Sequence, residues 1–398
     1  MDPTSPLPAL AALAVAIGTA HLISGKAAPA TAHGRFATID GLRGYLAFFV
    51  FLHHSCIWYS YSHTGTWAVM PHSRFYIHLG QSGVELFFMI TGFLFFSKLL
   101  EAKAKGGNPD WLRLYVSRVL RLTPLYLVAM AVLFAILAVL SGGKFAESPY
   151  LLIRHALQWL AFTVIGNPDV NAIQDTYLVT AGVTWSLVYE WYFYLSLPLL
   201  ALALRLGPPY RYVGLGLVAA AAFVLRHADW HFLVAFGGGM VAALVAPSPR
   251  FRQWAARPAA SIVALAFVAT AVAFFPKAYW VLPTLLLSVA FALIAGGNTL
   301  FGALLTRASH TLGDMAYGLY LLHGLVLFTL FTFVIGRDTA QGFSPVTHWL
   351  VIVATAPLLV LLCHGTYRLI EKPALERTNA VTAWLRALRA GEPASSAR

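Results

Sequence analysis

The chain has 398 residues, of which 59% are hydrophobic and only 11% charged. Soluble domains carry roughly 25% charged residues, so this composition excludes a large soluble enzyme, a disordered chain and a nucleic-acid binder with a solvated surface. The formal net charge is +12, and where those charges sit decides what they serve.

Eleven apolar segments run in chain order over roughly 8–24, 44–60, 82–100, 122–141, 185–204, 212–226, 230–246, 259–275, 279–296, 311–334 and 346–367. In lipid a backbone must satisfy its own hydrogen bonds, so continuous apolar runs predict helices. A β-barrel would need short alternating segments instead. The expectation is an all-α membrane protein, a polytopic bundle of about 11 transmembrane helices. Residues 1–36 form a first helix and linker, 37–377 the main membrane domain and 378–398 a polar, basic, frayed tail. The first segment lacks a basic start, since residues 1–7 hold no Lys or Arg. A helix entering from outside, a removed leader and a misassigned start codon all fit that pattern.

Numbering the connections alternately, with 25–43 on the cytoplasmic side, places 21 of the 27 Lys and Arg on that side. The opposite side holds Arg74, Lys144, Arg154, Arg226, Lys277 and Arg337. A cytoplasmic excess is the rule for membrane proteins, so this split accounts for the net charge without nucleic acid. It predicts a multi-pass protein of the cell (inner) membrane with a cytoplasmic C-terminus and membrane lipid as a partner. Cys56 and Cys363 lie in apolar runs and offer neither a disulfide framework nor a metal spacing. The longest extramembrane stretch is 142–184, within which 151–166 reads as an interfacial amphipathic helix.

Ionisable groups inside spans are costly and are functional candidates by default. The second segment begins at Arg43 and contains His53 and His54. Eleven residues of helix give a rise of roughly 16 Å and three turns plus about 20°. Arg43 and His54 therefore share a face, one at the cytoplasmic mouth and one deep in the bundle, with a continuous passage expected between them. A positive-inside anchor and a hydrogen-bonded core histidine are the plainer readings. Glu85 and Glu190 lie about one turn below the outer ends of the third and fifth spans. His323 falls near the depth of His54, and Asp314 lies closer to the cytoplasm. At the cytoplasmic end of the fourth span, Arg118 and Arg121 stand three apart on one helix face. Such a pair suits phosphate through charge-assisted bonds, and lipid head-group anchoring is the alternative. The outer loop 58–80 holds Trp58, Tyr59, Tyr61, His63, Trp67, His72, Phe75, Tyr76 and His78. It reads as an interfacial aromatic belt or as a stacking surface for sugar rings. Gly237 to Gly239 sit inside a span with no following basic residue, which points to close helix packing rather than a phosphate loop.

The segments IDGLRGYLAFFVFLHHS (39–55), GVELFFMITGFLF (83–95), SRVLRLTPLY (117–126), TWSLVYEWYFYL (184–195), GDMAYGLYLLH (313–323) and YRLIEKPALE (367–376) resemble the acyltransferase-3 family of membrane O-acyltransferases. The resemblance covers about residues 37–377. It implies a ten-helix core, here with one added N-terminal helix. It also implies transfer of an acyl group, commonly acetyl, from coenzyme A to a hydroxyl of an extracytoplasmic glycan or glycolipid. Acyl-CoA would be a co-substrate, with no tightly bound cofactor and no metal. Some relatives carry a further extracytoplasmic domain that this chain lacks, which leaves a place for a separate extracytoplasmic partner. Where the family has WSLSVE this chain has WSLVYE, keeping Glu190.

On that resemblance Arg43, Arg118 and Arg121 hold the phosphates of acyl-CoA and His54 is the base or the acyl-accepting nucleophile. Glu85 or Glu190 steadies its other ring nitrogen, and His53 or His323 assists. Intramembrane His and Glu equally suit a proton-coupled transporter or flippase for a lipid or glycan, though no repeat relates the two halves of the chain.

Overall fold

A computed structural model describes residues 2–25, 36–67, 73–226 and 228–390. Every one of the eleven expected apolar segments is helical. The helices are α1 (Pro6–Ile23), α2 (Ala37–Thr64), α3 (Arg74–Ala104), α4 (Trp111–Leu140), α5 (Pro149–Leu160), α6 (Trp185–Ala203), α7 (Tyr210–Leu225) and α8 (Phe232–Val245). They continue with α9 (Pro249–Ala255), α10 (Pro258–Phe274), α11 (Val281–Ala295), α12 (Arg307–Asp314), α13 (Ala316–Thr329), α14 (Arg337–Gln341), α15 (Pro345–Thr366), α16 (Lys372–Glu376) and α17 (Thr378–Ala390). Among the described residues there is no strand, only an isolated bridge between Val170 and Ile173. The protein is an all-α membrane protein.

Six of these helical stretches are long and apolar enough to cross a membrane, and α8 with α9, bent by 110°, makes a seventh if counted as one span. Three more apolar helices, α7, α10 and α11, are shorter. Length and composition alone therefore give fewer crossings than the eleven expected. α2 is less apolar than these, because it carries Asp40, Arg43, His53 and His54 along its 28 residues.

Local chemistry sets the ends of these helices. α2 stops where Gly65 turns left-handed (φ +69°) and donates its N–H to the Tyr61 carbonyl. α4 starts on Asp110, whose carboxylate accepts the Arg113 N–H at 3.1 Å. α5 is the expected amphipathic helix, capped by Ser148 and led by Pro149. It ends six residues earlier than the pattern suggested, because Phe162 and Thr163 take positive φ of 56° and 55°.

The chain divides into two compact units. The first comprises 1–97, 177–186 and 229–363. Inside it α2 packs on α12 and α13, α1 on α12, and α11 on α8 and α10. Glycines permit the closest approaches: a Cβ on Gly313 would lie 2.0 Å from the Asp40 carbonyl oxygen, and one on Gly324 2.3 Å from the Thr180 carbonyl carbon. Of the Gly237–Gly239 run, Gly238 and Gly239 behave likewise, while a Cβ on Gly237 would meet nothing within 4 Å. A Cβ on Gly238 would meet Ser288 Oγ at 2.2 Å and one on Gly239 the Met89 carbonyl at 2.0 Å, so these residues serve helix packing.

The second unit comprises 98–176, 187–228 and 364–398. Within it α17, α16 and the π-helical turn Tyr367–Glu371 lie along α4. The tail is thus ordered further than expected. Residues 378–390 are helical rather than frayed, because Thr382 and Ala387 are buried and Arg386 binds Asp110. Residues 391–398 of the expected tail lie outside the described residues, as do Lys26 and Arg35 of the expected linker.

Candidate active site

In the first unit the site is built on α2 and α13. His54 and His323 meet ring to ring, with His323 Nε2 3.0 Å from His54 Nδ1 and ring centroids 5.0 Å apart. The depth match expected from helix counting is therefore a direct contact. Each ring also points Nδ1 back at the carbonyl four residues earlier in its own helix, His54 at Val50 (3.0 Å) and His323 at Leu319 (3.0 Å).

These partners fix the protons. A carbonyl only accepts, so His323 must carry its proton on Nδ1, and its neutral Nε2 is then a lone pair. That lone pair faces His54 Nδ1, which must in turn be a donor. The neutral His54 ring is left with an unprotonated Nε2. His323 is fully buried, whereas His54 keeps part of its surface accessible. The indole of Trp67 stacks over the His54 ring at 6.4 Å with planes 19° apart.

His53 lies edge-on to His54 with centroids 4.9 Å apart. Its Nδ1 contacts the Tyr76 carbonyl at 2.8 Å, and it is buried. Gly80 makes room for it, since a Cβ there would fall 2.4 Å from the His53 ring. His53 is thus held by α3 as a wall beside His54.

The sequence reading gave His54 a carboxylate partner from Glu85 or Glu190. The structure corrects this, because the nitrogen concerned already engages Val50 and His323. Glu85 is fully buried and neither of its oxygens has a hydrogen-bond partner. His231 Nε2 lies 3.6 Å away and the Thr284 hydroxyl is also close by, and His231 Nδ1 sits 3.2 Å from Asp229 on the more exposed side. Asp229 was missed because it lies in a connection, and His231, although inside the expected segment 230–246, was not singled out there; it is the N-cap of α8.

Arg43 sits part-exposed on α2 and pairs with Asp40 at 3.8 Å. Ala47 and Val50, on the helix face joining Arg43 to His54, are 0% and 2% exposed. The passage expected along this face is therefore closed by packed side chains. Asp314 closes α12, beyond the imidazole pair.

In the second unit Glu190 accepts a 2.7 Å hydrogen bond from the Tyr194 hydroxyl one turn later on α6. Tyr194 is also within hydrogen-bonding reach of Arg118. Tyr194 was not singled out from the sequence, although its i+4 spacing from Glu190 was there to read. Arg118 and Arg121 lie on α4, as their spacing required, and Arg118 and Arg113 both bring like charge close to Lys98. One buried Nη of Arg121 has no hydrogen-bond partner.

The aromatic loop also differs from expectation. Trp58, Tyr59, Tyr61 and His63 belong to the last turns of α2, while Phe75, Tyr76 and His78 belong to α3. His63 contacts the Tyr59 and Phe343 carbonyls, and His78 contacts Ser82 and the Phe275 carbonyl. Those two histidines are structural. Residues 68–72, with His72, lie outside the described residues.

The acyltransferase-3 profile, an acyltransferase domain, matches residues 36–367. The chain belongs to the acyltransferase-3 family. It is a multi-pass membrane acyltransferase, and the transporter reading gives way to that membership. Nodulation protein 10 of Rhizobium leguminosarum bv. viciae is 25% identical, over 87% of this chain and 96% of that protein. No solved structure matches this chain.

Proposed function

We propose that the chain moves an acyl group, acetyl foremost, from cytoplasmic acyl-CoA to a hydroxyl of an extracytoplasmic glycan or glycolipid. The setting is the cell inner membrane, with the C-terminus in the cytoplasm. The observation that carries this reading is the His54–His323 pair, which leaves the Nε2 of the part-buried His54 ring unprotonated and able to act as a base.

His54 Nε2 takes the acceptor hydroxyl proton as the oxygen attacks the thioester carbonyl. The resulting imidazolium keeps its Nδ1–H on Val50 and on the His323 lone pair, the orienting role a carboxylate fills in a hydrolase triad. The tetrahedral adduct collapses, the carbon–sulfur bond breaks, and the departing thiolate recovers the proton from His54. In the covalent alternative His54 Nε2 attacks the thioester carbonyl and the carbon–sulfur bond breaks to release the CoA thiolate. The acceptor hydroxyl then attacks the acyl-imidazole, breaking its carbon–nitrogen bond, and the hydroxyl proton balances the thiolate as free CoA.

Arg118 and Arg121 are suited to the donor's phosphates. Arg121 has a buried guanidinium nitrogen without a partner, a cost that an anion would remove. The Glu190–Tyr194 bond holds Tyr194 within reach of Arg118. Because Ala47 and Val50 close the Arg43 face, the donor's arm must part that packing or approach His54 from another side.

The test is release of free CoA from acetyl-CoA by the purified full chain, with and without a sugar acceptor. Acceptor-dependent release that His54→Ala abolishes supports the reading, and unchanged release in that variant overturns it. A burst of CoA without acceptor identifies the covalent route. Arg118→Ala should raise the KM for acetyl-CoA about tenfold or more, the loss of one charge-assisted bond, and an unchanged KM would return Arg118 to lipid anchoring.

A further inference from the structure

The family match ends at residue 367, and α17 (Thr378–Ala390) lies beyond it. This helix has two unlike faces. One binds the start of α4: Asn379 Oδ1 accepts the Arg113 Nε–H at 2.9 Å, Arg386 pairs with Asp110, and Thr382 is buried. At about 100° per residue Val381, Trp384, Leu385 and Leu388 fall in one stripe about 100° wide, roughly 140° round the helix from those three residues. The stripe therefore looks away from α4. Trp384 is 44% and Leu388 51% exposed, and Val381 and Leu385 are half-buried.

The charges beside the stripe are of one sign. Residues 377–390 hold Arg377, Arg386 and Arg389 and no acid. Of the three, only Arg386 is in an ion pair among the described residues. Arg377 and Arg389 are exposed, one before the stripe and one after it.

The helix is also tied to a membrane-spanning element. α4 is long and apolar enough to cross a bilayer, and the bonds from α17 go to Asp110 and Arg113 at its first turn. The π-helical turn Tyr367–Glu371 and α16, which lead into α17, lie along α4 as well.

An apolar stripe with basic flanks on a short helix is the pattern of helices that lie in the membrane interface. Tryptophan favours that level, and anionic head groups attract arginine there. A nucleotide phosphate would engage the arginines but leave the stripe in water. A second protein surface fits less well, because four side chains are few against the roughly 20–30 residues a side of a stable interface.

We propose that α17 is an in-plane anchor for anionic lipid of the cytoplasmic leaflet. Val381, Trp384, Leu385 and Leu388 enter the boundary between head groups and acyl chains, and Arg377 and Arg389 bind lipid phosphates. The anchor ties the start of α4, the helix that carries Arg118 and Arg121, to the lipid surface. The choice of leaflet rests on the topology proposed above. The lipid binding itself depends neither on that topology nor on acyl transfer.

The test puts a nitroxide on the full chain at Leu388→Cys, in the stripe, or at Ala383→Cys, exposed on the other side of the helix. Each variant is reconstituted in nanodiscs of phosphatidylcholine, with or without phosphatidylglycerol. Power-saturation EPR then compares collisions with oxygen, which enriches in lipid, and with a water-soluble nickel chelate. Cys56 and Cys363 are buried, and the wild type treated in the same way gives their background. The label at 388 should lie about 5–10 Å into the head-group and acyl boundary, and the label at 383 should lie in water. Phosphatidylglycerol should raise the ratio of lipid-inserted to water-exposed label at 388. Arg377→Ala and Arg389→Ala should each lower that ratio about fivefold, the attraction of one arginine to an anionic surface. Trp384→Cys reports on the same stripe if Leu388→Cys folds poorly. A label at 388 open to the chelate in both nanodiscs overturns the anchor. A label shielded from both reagents also overturns it, by showing a protein surface over the stripe, a second copy included. Insertion indifferent to phosphatidylglycerol and to both arginines overturns the anionic lipid as the partner.

Discussion

Two buried polar clusters share the first unit and are built on opposite principles. His54 and His323 are satisfied: each ring has its i−4 carbonyl, and each has the other. Glu85 is fully buried with both oxygens unpartnered, and His231 Nε2, 3.6 Å away, is unpartnered too. In the first cluster the hydrogen bonds leave a single nitrogen free, so they define a chemical role. In the second the bonds are missing, so the cluster costs stability and is open to a proton or a ligand. Burial alone does not mark the reacting group. What marks it is a full set of partners with one vacancy.

The sharpest way to break this comparison is at the vacancy. His54→Ala should lower acyl transfer by roughly 10²–10⁴-fold, the usual contribution of a positioned base, with the protein still inserted and folded. Turnover near the wild-type value would remove His54 from the chemistry. His323→Ala should do less. It removes a hydrogen bond to a group that becomes charged, a contact that contributes about 1.5–3 kcal/mol. The expected loss in kcat is therefore roughly 10- to 150-fold, with the KM for acyl-CoA nearly unchanged. A KM effect without a kcat effect would mean that His323 shapes the pocket rather than holding the imidazolium.

Glu85→Gln probes the other cluster. Removing one partner of a working buried ion pair costs about 3–5 kcal/mol. The separation from His231 and the unpartnered oxygens place this carboxylate outside that class. The variant should lose less than about 1 kcal/mol of stability, while turnover falls about tenfold, as expected where an intramembrane carboxylate serves function. Thermal unfolding and CoA release on the same preparation separate the two. A large fall in midpoint with normal turnover would make Glu85–His231 a structural pair.

Much of this was legible in the sequence, and the rest was lost for identifiable reasons. Each of the eleven continuous apolar runs is helical in the structure, because lipid leaves the backbone little choice, though fewer than eleven are long and apolar enough to cross a membrane. Helical counting put His54 and His323 at one depth, and the structure brings them into contact. The partner of His54 was not legible, since a contact between residues 269 positions apart depends on the packing of α2 on α13. Gly324 on α13 packs against a different element, the backbone carbonyl of Thr180 in a distant turn. Asp229 was invisible because a connection has no periodicity to mark which side chains point inward, and His231 was passed over at the very start of the expected segment 230–246, where it caps α8. The closed face between Arg43 and His54 shows the limit of helical phase: it tells which residues align, not whether the space between them is filled.

The smallest expected effect lies in the second unit, at Asp110, where the geometry is ordinary and the sign is easy to read. Partial burial pushes this carboxyl up. The Arg386 guanidinium bonded to it and the Arg113 N–H and charge outweigh that push and hold it below the usual carboxylate range. A group whose folded pKa is depressed contributes stability above its unfolded pKa, near 3.9 for Asp, and loses it as pH falls through the folded value. Asp110 also caps α4, a contact that contributes about 1 kcal/mol when an N-cap is replaced by Ala. Asp110→Ala should therefore lower the thermal midpoint modestly at pH 7, and the gap to the wild type should narrow as the pH is taken below about 4. Salt should shrink it as well, because the ion pair is exposed. A gap that stays constant with pH would show that the carboxylate's charge adds nothing to the attachment of α17 to α4, leaving Thr382 and Ala387, buried on α17, to hold the tail by packing alone.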